Sequence, residues 1–378
     1  MGTVTIRRLN GTEFDNTVRD LVGATVSFSR AFPPDDGEEG FTNIADALTM
    51  SPLLFEGYEA AAEQLATLAV ANPTIVSCAQ ATGASEDCAR TIFARFARRA
   101  WRRPVTADEV SRLVKLVTDA RASGLTFTAG LHLAFKATLL SPSFLFRIEL
   151  DPDPSSTDAH PLDDYELASR LSYFLWSSMP DDVLFAYADA RRLSSPAIFD
   201  MQVRRMIKDP RARTLVDNFA SQWLLHTLSA VQPDATIFPE FDDALLGSMT
   251  RETKAFMGSF LFEDQSLADV LDAPFSFLDE RMATHYGVAG VHGSEPVRVT
   301  LPASSHRGGL LTQASILTMT AVATRTSPVR RGEWVLSELL CAPPPPPPPG
   351  IPALPEQASV GTMRQRMEEH RKNPICAT

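Results

Sequence analysis

Apolar positions recur every three or four residues along most of the chain, the spacing of one buried helix face. The first such run begins at Leu9-Asn10-Gly11-Thr12-Glu13-Phe14, where Asn10 caps, Glu13 is its capping-box partner and Leu9 staples against Phe14. Phe14, Val18, Leu21 and Val22 form the buried face, and Gly23 ends it. Ser51-Pro52 opens a second helix, cap then proline, that runs to about Val70. From Cys88 a basic helix follows. Phe93, Phe96, Ala97 and Ala100 mark its apolar side, Arg95, Arg98, Arg99, Arg102 and Arg103 line the rest, and Pro104 stops it. Capping boxes recur at Thr106 with Glu109 and at Asp163 with Glu166. Ser195-Pro196 and Asp209-Pro210 each start a helix, the second bearing a stripe of Leu215, Val216, Phe219, Ala220, Trp223 and Leu224. Leu245, Met249, Thr253, Phe256, Met257 and Phe260 make another long face. Gly309 to Thr320, and Pro328 to Leu340 capped by Ser327, form a last pair. The strand signal is confined to the alternation from Pro296 to Leu301.

This pattern predicts a mostly α, multi-helical fold of ten or more helices with at most a minor β element. A polyproline II spacer follows, since Pro343 to Pro349 is a stiff run of roughly 20 Å at about 3.1 Å per residue. Linker composition divides the chain into an N-terminal helical domain (1–87), a basic helical domain (88–150), a central helical domain (151–287), a C-terminal helical pair (288–342) and a spacer with tail (343–378).

Composition narrows the class. Of 378 residues, 44% are apolar and 21% charged, enough for sizeable cores. The net charge of −11 argues against a nucleic-acid partner. No run of ~18 apolar residues exists, so no membrane span is expected. The start, Met1 to Ile6, has no hydrophobic signal core, so an export signal is missing from this chain. A polar loop of Ala79 to Asp87 separates Cys78 from Cys88, short enough for a disulfide and hence an oxidising compartment, with two buried thiols as the alternative.

Motifs for nucleophilic, zinc-protease, phosphate-loop and dinucleotide chemistry are absent, so no catalytic residue is assigned. The seven histidines are scattered with no i, i+4 pair, and no metal site is expected. The acidic loop Asp35, Asp36, Glu38, Glu39 suits a hard cation or, more simply, a solvated surface. The arginine face from Arg90 to Arg103 suits a phosphate, a sulfate or an acidic polymer; a solvated face is the alternative. Around His306-Arg307-Gly308-Gly309 and Arg325-Thr326-Ser327-Pro328-Val329-Arg330-Arg331, two cations fall in the first turn of a helix, where its dipole disfavours them. His306, Arg325, Arg330 and Arg331 are therefore candidates for a carboxylate, a phosphate or a haem propionate, with an internal ion pair as the alternative. The chain stops at Cys376-Ala377-Thr378, the opening of the C-x-x-C-H site of c-type haem, which makes Cys376 a candidate thioether position.

Several segments together resemble a known group. They are Arg7 to Gly23, Phe32-Pro33-Pro34-Asp35-Asp36, Phe96 to Pro104, Ser141 to Arg147, Leu171 to Pro180, and Arg325 to Leu336 leading into the proline run. In this order they are similar to large secreted proteins of unknown function found with planctomycete-type cytochrome c segments, common also in myxobacteria. The resemblance implies periplasmic or extracellular location, a cytochrome-like segment upstream, and C-x-x-C-H with a further domain downstream. It implies that this chain is a fragment truncated before the haem site is complete. Haem c then belongs to the full-length protein, and none is expected to attach covalently here. The reading is an uncharacterised helical part of an exported haem-associated protein, redox-linked or substrate-binding, with a redox partner or an extracellular polymer to meet. The alternative is an extracellular scaffold for polysaccharide or protein, with Trp101, Trp176, Trp223 and Trp334 as aromatic platforms.

Overall fold

Helices start where a side-chain oxygen meets the first free backbone N–H groups. Asn10 Oδ1 accepts from Glu13 N at 2.9 Å while Glu13 Oε2 accepts from Asn10 N at 3.1 Å, opening α1 (Gly11–Val22), which Gly23 ends in the left-handed conformation. Ser51 caps α2 (Pro52–Ala71), Ser85 caps α3 (Glu86–Trp101) and the Thr106–Glu109 box opens α4 (Ala107–Ala122). They are followed by α5 (Phe127–Leu139), α6 (Pro142–Leu145), α7 (Asp164–Trp176), α8 (Asp182–Asp189) and α9 (Pro196–Ile207). Further along lie α10 (Ser221–Leu225), α11 (Asp243–Phe262), α12 (Glu280–Tyr286), α13 (Ala314–Met319), α14 (Pro328–Trp334) and α15 (Met363–Arg371). The fold, seen in a computed structural model, is mostly α with small antiparallel strand pairs. The structure describes residues 6–37, 40–78, 85–150, 153, 159–263, 265–345 and 362–371. Glu38, Glu39, the loop 79–84, the linker 151–156 apart from Asp153, Pro346 to Pro349 and Cys376 lie outside the described residues.

The chain divides into two compact units, residues 1–219 and 220–378. In the first, α2, α3, α4 and α5 pack side by side. Gly130 on α5 lets the backbones close, since a Cβ there would stand 3.0 Å from Val117 of α4. The core runs through Phe14, Tyr58, Phe93, Phe96, Phe135 and Phe144. Two short strands, β1 (Ile6–Arg8) and β2 (Phe146–Ile148), pair antiparallel with Arg7 opposite Arg147. Neither shows the alternation that marks a strand in sequence, because each is only three residues long.

In the second unit α11 packs against α12, α13 and an antiparallel pair of β3 (Phe275–Leu278) and β4 (Val297–Thr300), between which α12 lies in the chain. The alternation from Pro296 to Leu301 is β4. A two-residue pair, β5 (Ala321–Val322) and β6 (Arg325–Thr326), precedes α14.

Two helices expected to be continuous change pitch. Asp209-Pro210 starts only a 3₁₀ turn, and the stripe passes through a π turn at Leu215–Ala220 before α10; Val335–Leu339 is a second π turn. The wider turn rotates the stripe out of register. Val216, Ala220 and Leu224 remain buried, but Phe219 turns outward, 45% exposed, and stacks on Phe41.

Candidate functional site

On α3 the helical period puts Ile92, Phe93, Phe96 and Ala97 into the core and leaves Arg90, Arg95, Arg98 and Arg99 on the opposite face. With Asp182 and Phe185 of α8 these arginines wall a groove of about 640 Å³. Arg98 donates to both oxygens of Asp189 at 2.7 Å and lies over the Phe185 ring at 5.0 Å. Arg99 pairs with Asp182, and Arg90 with Glu86 at 3.1 Å. Arg95 is exposed, has one long hydrogen bond, to Thr74 O at 3.5 Å, and pairs with no carboxylate among the described residues. Four guanidiniums thus share a groove in which Asp182 is the one lining carboxylate among the described residues.

Arg102 departs from the expected solvated face. It adopts φ 60° and ends α3 before Pro104 is reached, so its side chain turns inward and is buried. Its guanidinium donates to the carbonyls of Ala100, Ser143, Phe144 and Phe146. Arg103 is ion-paired to Glu109 at 2.8 Å, and this guanidinium, helped by the Thr106 N–H, holds the Glu109 carboxyl down at about 2.

Deeper in the same unit lies an arginine cluster that sequence reasoning did not find. Arg8 is buried and donates to Asp35 at 2.8 Å and Tyr58 at 3.0 Å. Burial pushes the Tyr58 phenol above its ordinary value. Asp35 also accepts from Gly11 N at 2.6 Å, so this member of the acidic loop braces α1 instead of facing solvent. Arg7 meets Glu13 at 2.6 Å, while Arg147 approaches it only to 3.8 Å and lies over the Tyr173 ring at 4.8 Å. The visible signal was Arg7-Arg8 ahead of a capping box. Its meaning needed Arg147, 140 residues away.

In the second unit the predicted ligands separate. His306 is exposed, in the left-handed conformation after a 3₁₀ turn. Arg307 turns inward over the Tyr286 ring at 3.8 Å and donates to Thr312 O. Gly309 has φ +62°, and a Cβ there would fall 2.1 Å from Leu271 O, so the paired glycines serve a backbone crossing. Arg330 donates to Ala321 O at 3.1 Å, Arg331 to Thr326 Oγ1 at 3.0 Å and Arg325 to Thr326 O at 3.2 Å. The three arginines therefore gather on the β5–β6 hairpin and α14, without His306. Cys78 and Cys88 are joined as a disulfide, with Cα atoms 5.5 Å apart. Among the tryptophans Trp176 is wholly buried, Trp334 is buried, and Trp101 and Trp223 are half-buried, so none is an open platform. Among the described residues, no group of three or more His, Cys, Asp or Glu is placed to hold a metal ion, and no helix is long and apolar enough to cross a membrane.

Four family models match in chain order: PSD3 (DUF1587) over residues 7–71, PSD5 (DUF1595) over 88–149, PSD4 (DUF1592) over 162–288 and PSCyt3 (DUF1588) over 307–378. Each is described as a protein of unknown function. The chain is similar to the four in turn along its length. Their succession is the pattern of planctomycete-type cytochrome c-associated proteins. No curated protein and no solved structure matches the chain. The PSD5 segment supplies α3 with its arginine face, and β1–β2 ties the start of the PSD3 segment to the end of the PSD5 segment.

Proposed function

We propose that the 1–219 unit recognises an acidic extracellular polymer, as the ligand-binding part of an exported, haem-linked protein. The observation that carries this reading is the α3 groove, where four arginines line a surface with one lining carboxylate among the described residues and Arg95 has no acidic partner. Guanidinium forks suit carboxylates and sulfates. A disulfide at Cys78–Cys88 supports a periplasmic or extracellular setting.

The test uses the whole chain with heparin or polygalacturonate and, as a neutral control, dextran. Arg95→Glu, an exposed change with little to lose in the fold, is expected to weaken polyanion binding at least about tenfold. Unchanged binding, or equal binding of dextran, refutes the reading.

Haem c is proposed for the whole protein, through the C-x-x-C-H that Cys376 would begin. The described residues do not themselves fit the group: Arg325, Arg330 and Arg331 donate to the protein's own oxygens and His306 stands apart from them. No electron-transfer step is derived from them. Reading the gene beyond Thr378 tests this part alone; any codons other than Cys and then His at the next two motif positions remove haem and leave the groove untouched.

A further inference from the structure

We propose that a second pocket of the 1–219 unit, at the C-terminal end of α3, binds a small organic carboxylate with a ring or other apolar body. The pocket holds about 270 Å³, the scale of a small organic acid and not of a folded partner. Arg102, Arg103 and Arg147 line it together with Trp101, Phe146 and Tyr165, so cations meet apolar and aromatic walls.

Arg147 carries the argument. Its Nε is buried with no partner, and no other nitrogen of its guanidinium donates a hydrogen bond to any described residue. A buried cation in that condition is costly. Its nearest carboxylate, Glu13, is already taken at 2.6 Å by Arg7 and by the cap of α1, which leaves Arg147 at 3.8 Å. The strand register sets Arg7 directly opposite Arg147, a like-charge pair that works against β1–β2 pairing. Burial first, and then the neighbouring Arg7 and Arg102, bring the Arg147 guanidinium down to about 10.

The other lining charges are committed. Arg102 is used by carbonyls and Arg103 by Glu109. Asp163 accepts from Tyr165 N and Glu166 N, while Glu166 accepts from Asp163 N and Leu150 N. Among the lining cations this leaves Arg147, whose guanidinium fork donates no hydrogen bond to a described residue, with Trp101, Phe146 and Tyr165 as the aromatic part of the lining. A carboxylate accepts from that fork bidentately and also offsets the opposed arginines. The inference stands apart from the groove reading, because Arg95 does not line this pocket.

Titration calorimetry on the full chain at low salt, with benzoate and D-glucuronate against benzamide and D-glucose, tests it. At least one of the acids is expected to bind while both neutral compounds fail. Arg147→Gln should weaken the acid at least about tenfold, and so should Ser169→Phe, which fills the pocket from α7. Arg95→Gln should leave the affinity within about twofold. Failure of both acids, equal binding of the neutral compounds, or full affinity in Ser169→Phe overturns the proposal. Should Arg147→Gln not fold, Ser169→Phe decides the matter alone.

Discussion

At the scale of single residues, Glu252 shows how position outweighs residue type. It lies on the apolar stripe of α11, three residues after Met249 and four before Phe256, and is fully buried. Ser276 donates to its Oε1 at 2.6 Å and Tyr286 to its Oε2 at 2.8 Å, so the group is satisfied yet desolvated. Burial raises its carboxyl to about 7, with the two hydroxyls and Arg307 pulling the other way and Asp279 adding to the rise. Burial also raises the Tyr286 phenol, reinforced by Glu252. Because the folded state holds this proton more tightly than the unfolded chain, the stability that Glu252 contributes is fully present below pH 4.5. It falls as pH rises from 4.5 to about 7, by on the order of 3 kcal/mol. Glu252→Gln keeps the shape and is expected to flatten that slope; denaturation midpoints measured across the window check it, and an unchanged slope refutes the assignment. The acidic residue within the stripe was visible in the sequence, but its burial was not.

At the scale of elements, local chemistry was the readable part. Start signals at Asn10, Ser51, Thr106, Asp163 and Ser327 open helices because the cap and its partner lie within four residues of each other. Asn10 also donates from Nδ2 to Thr42 O, which ties α1 to the following loop. Asn10→Ala is therefore expected to cost about 1–2 kcal/mol in urea unfolding, with Asn10→Ser recovering most of it; a loss below a few tenths would show the cap to be dispensable. The end of α3 was not readable in the same way. Pro104 is a stop any reader sees, but the helix ends earlier because four carbonyls from residues 100–146 draw the Arg102 side chain inward. The π turns at Leu215–Ala220 and Val335–Leu339 likewise shift stripes whose spacing suggests unbroken helices.

At the scale of the whole molecule, the net charge of −11 and pI near 5.2 conceal a basic groove on one helix. A polyanion bound there works against the average charge and depends on local contacts. Its affinity is accordingly expected to fall steeply from about 0.05 to about 0.5 M salt, as the screening length shrinks to a few ångströms; binding insensitive to salt would point away from the arginines. By itself the sequence determined the helical class, most helix starts and the basic face of α3, because periodicity, caps and charge spacing act over a few residues. The resemblance likewise agreed with the four unknown-function domains. Only the tertiary structure decided which arginines remain open and which are consumed. Arg7 meets Arg147 across β1–β2, Arg98 meets Asp189, and Arg102 meets the backbone near residue 144. Such partners are chosen by chain crossings between distant segments, and no local rule of spacing records them.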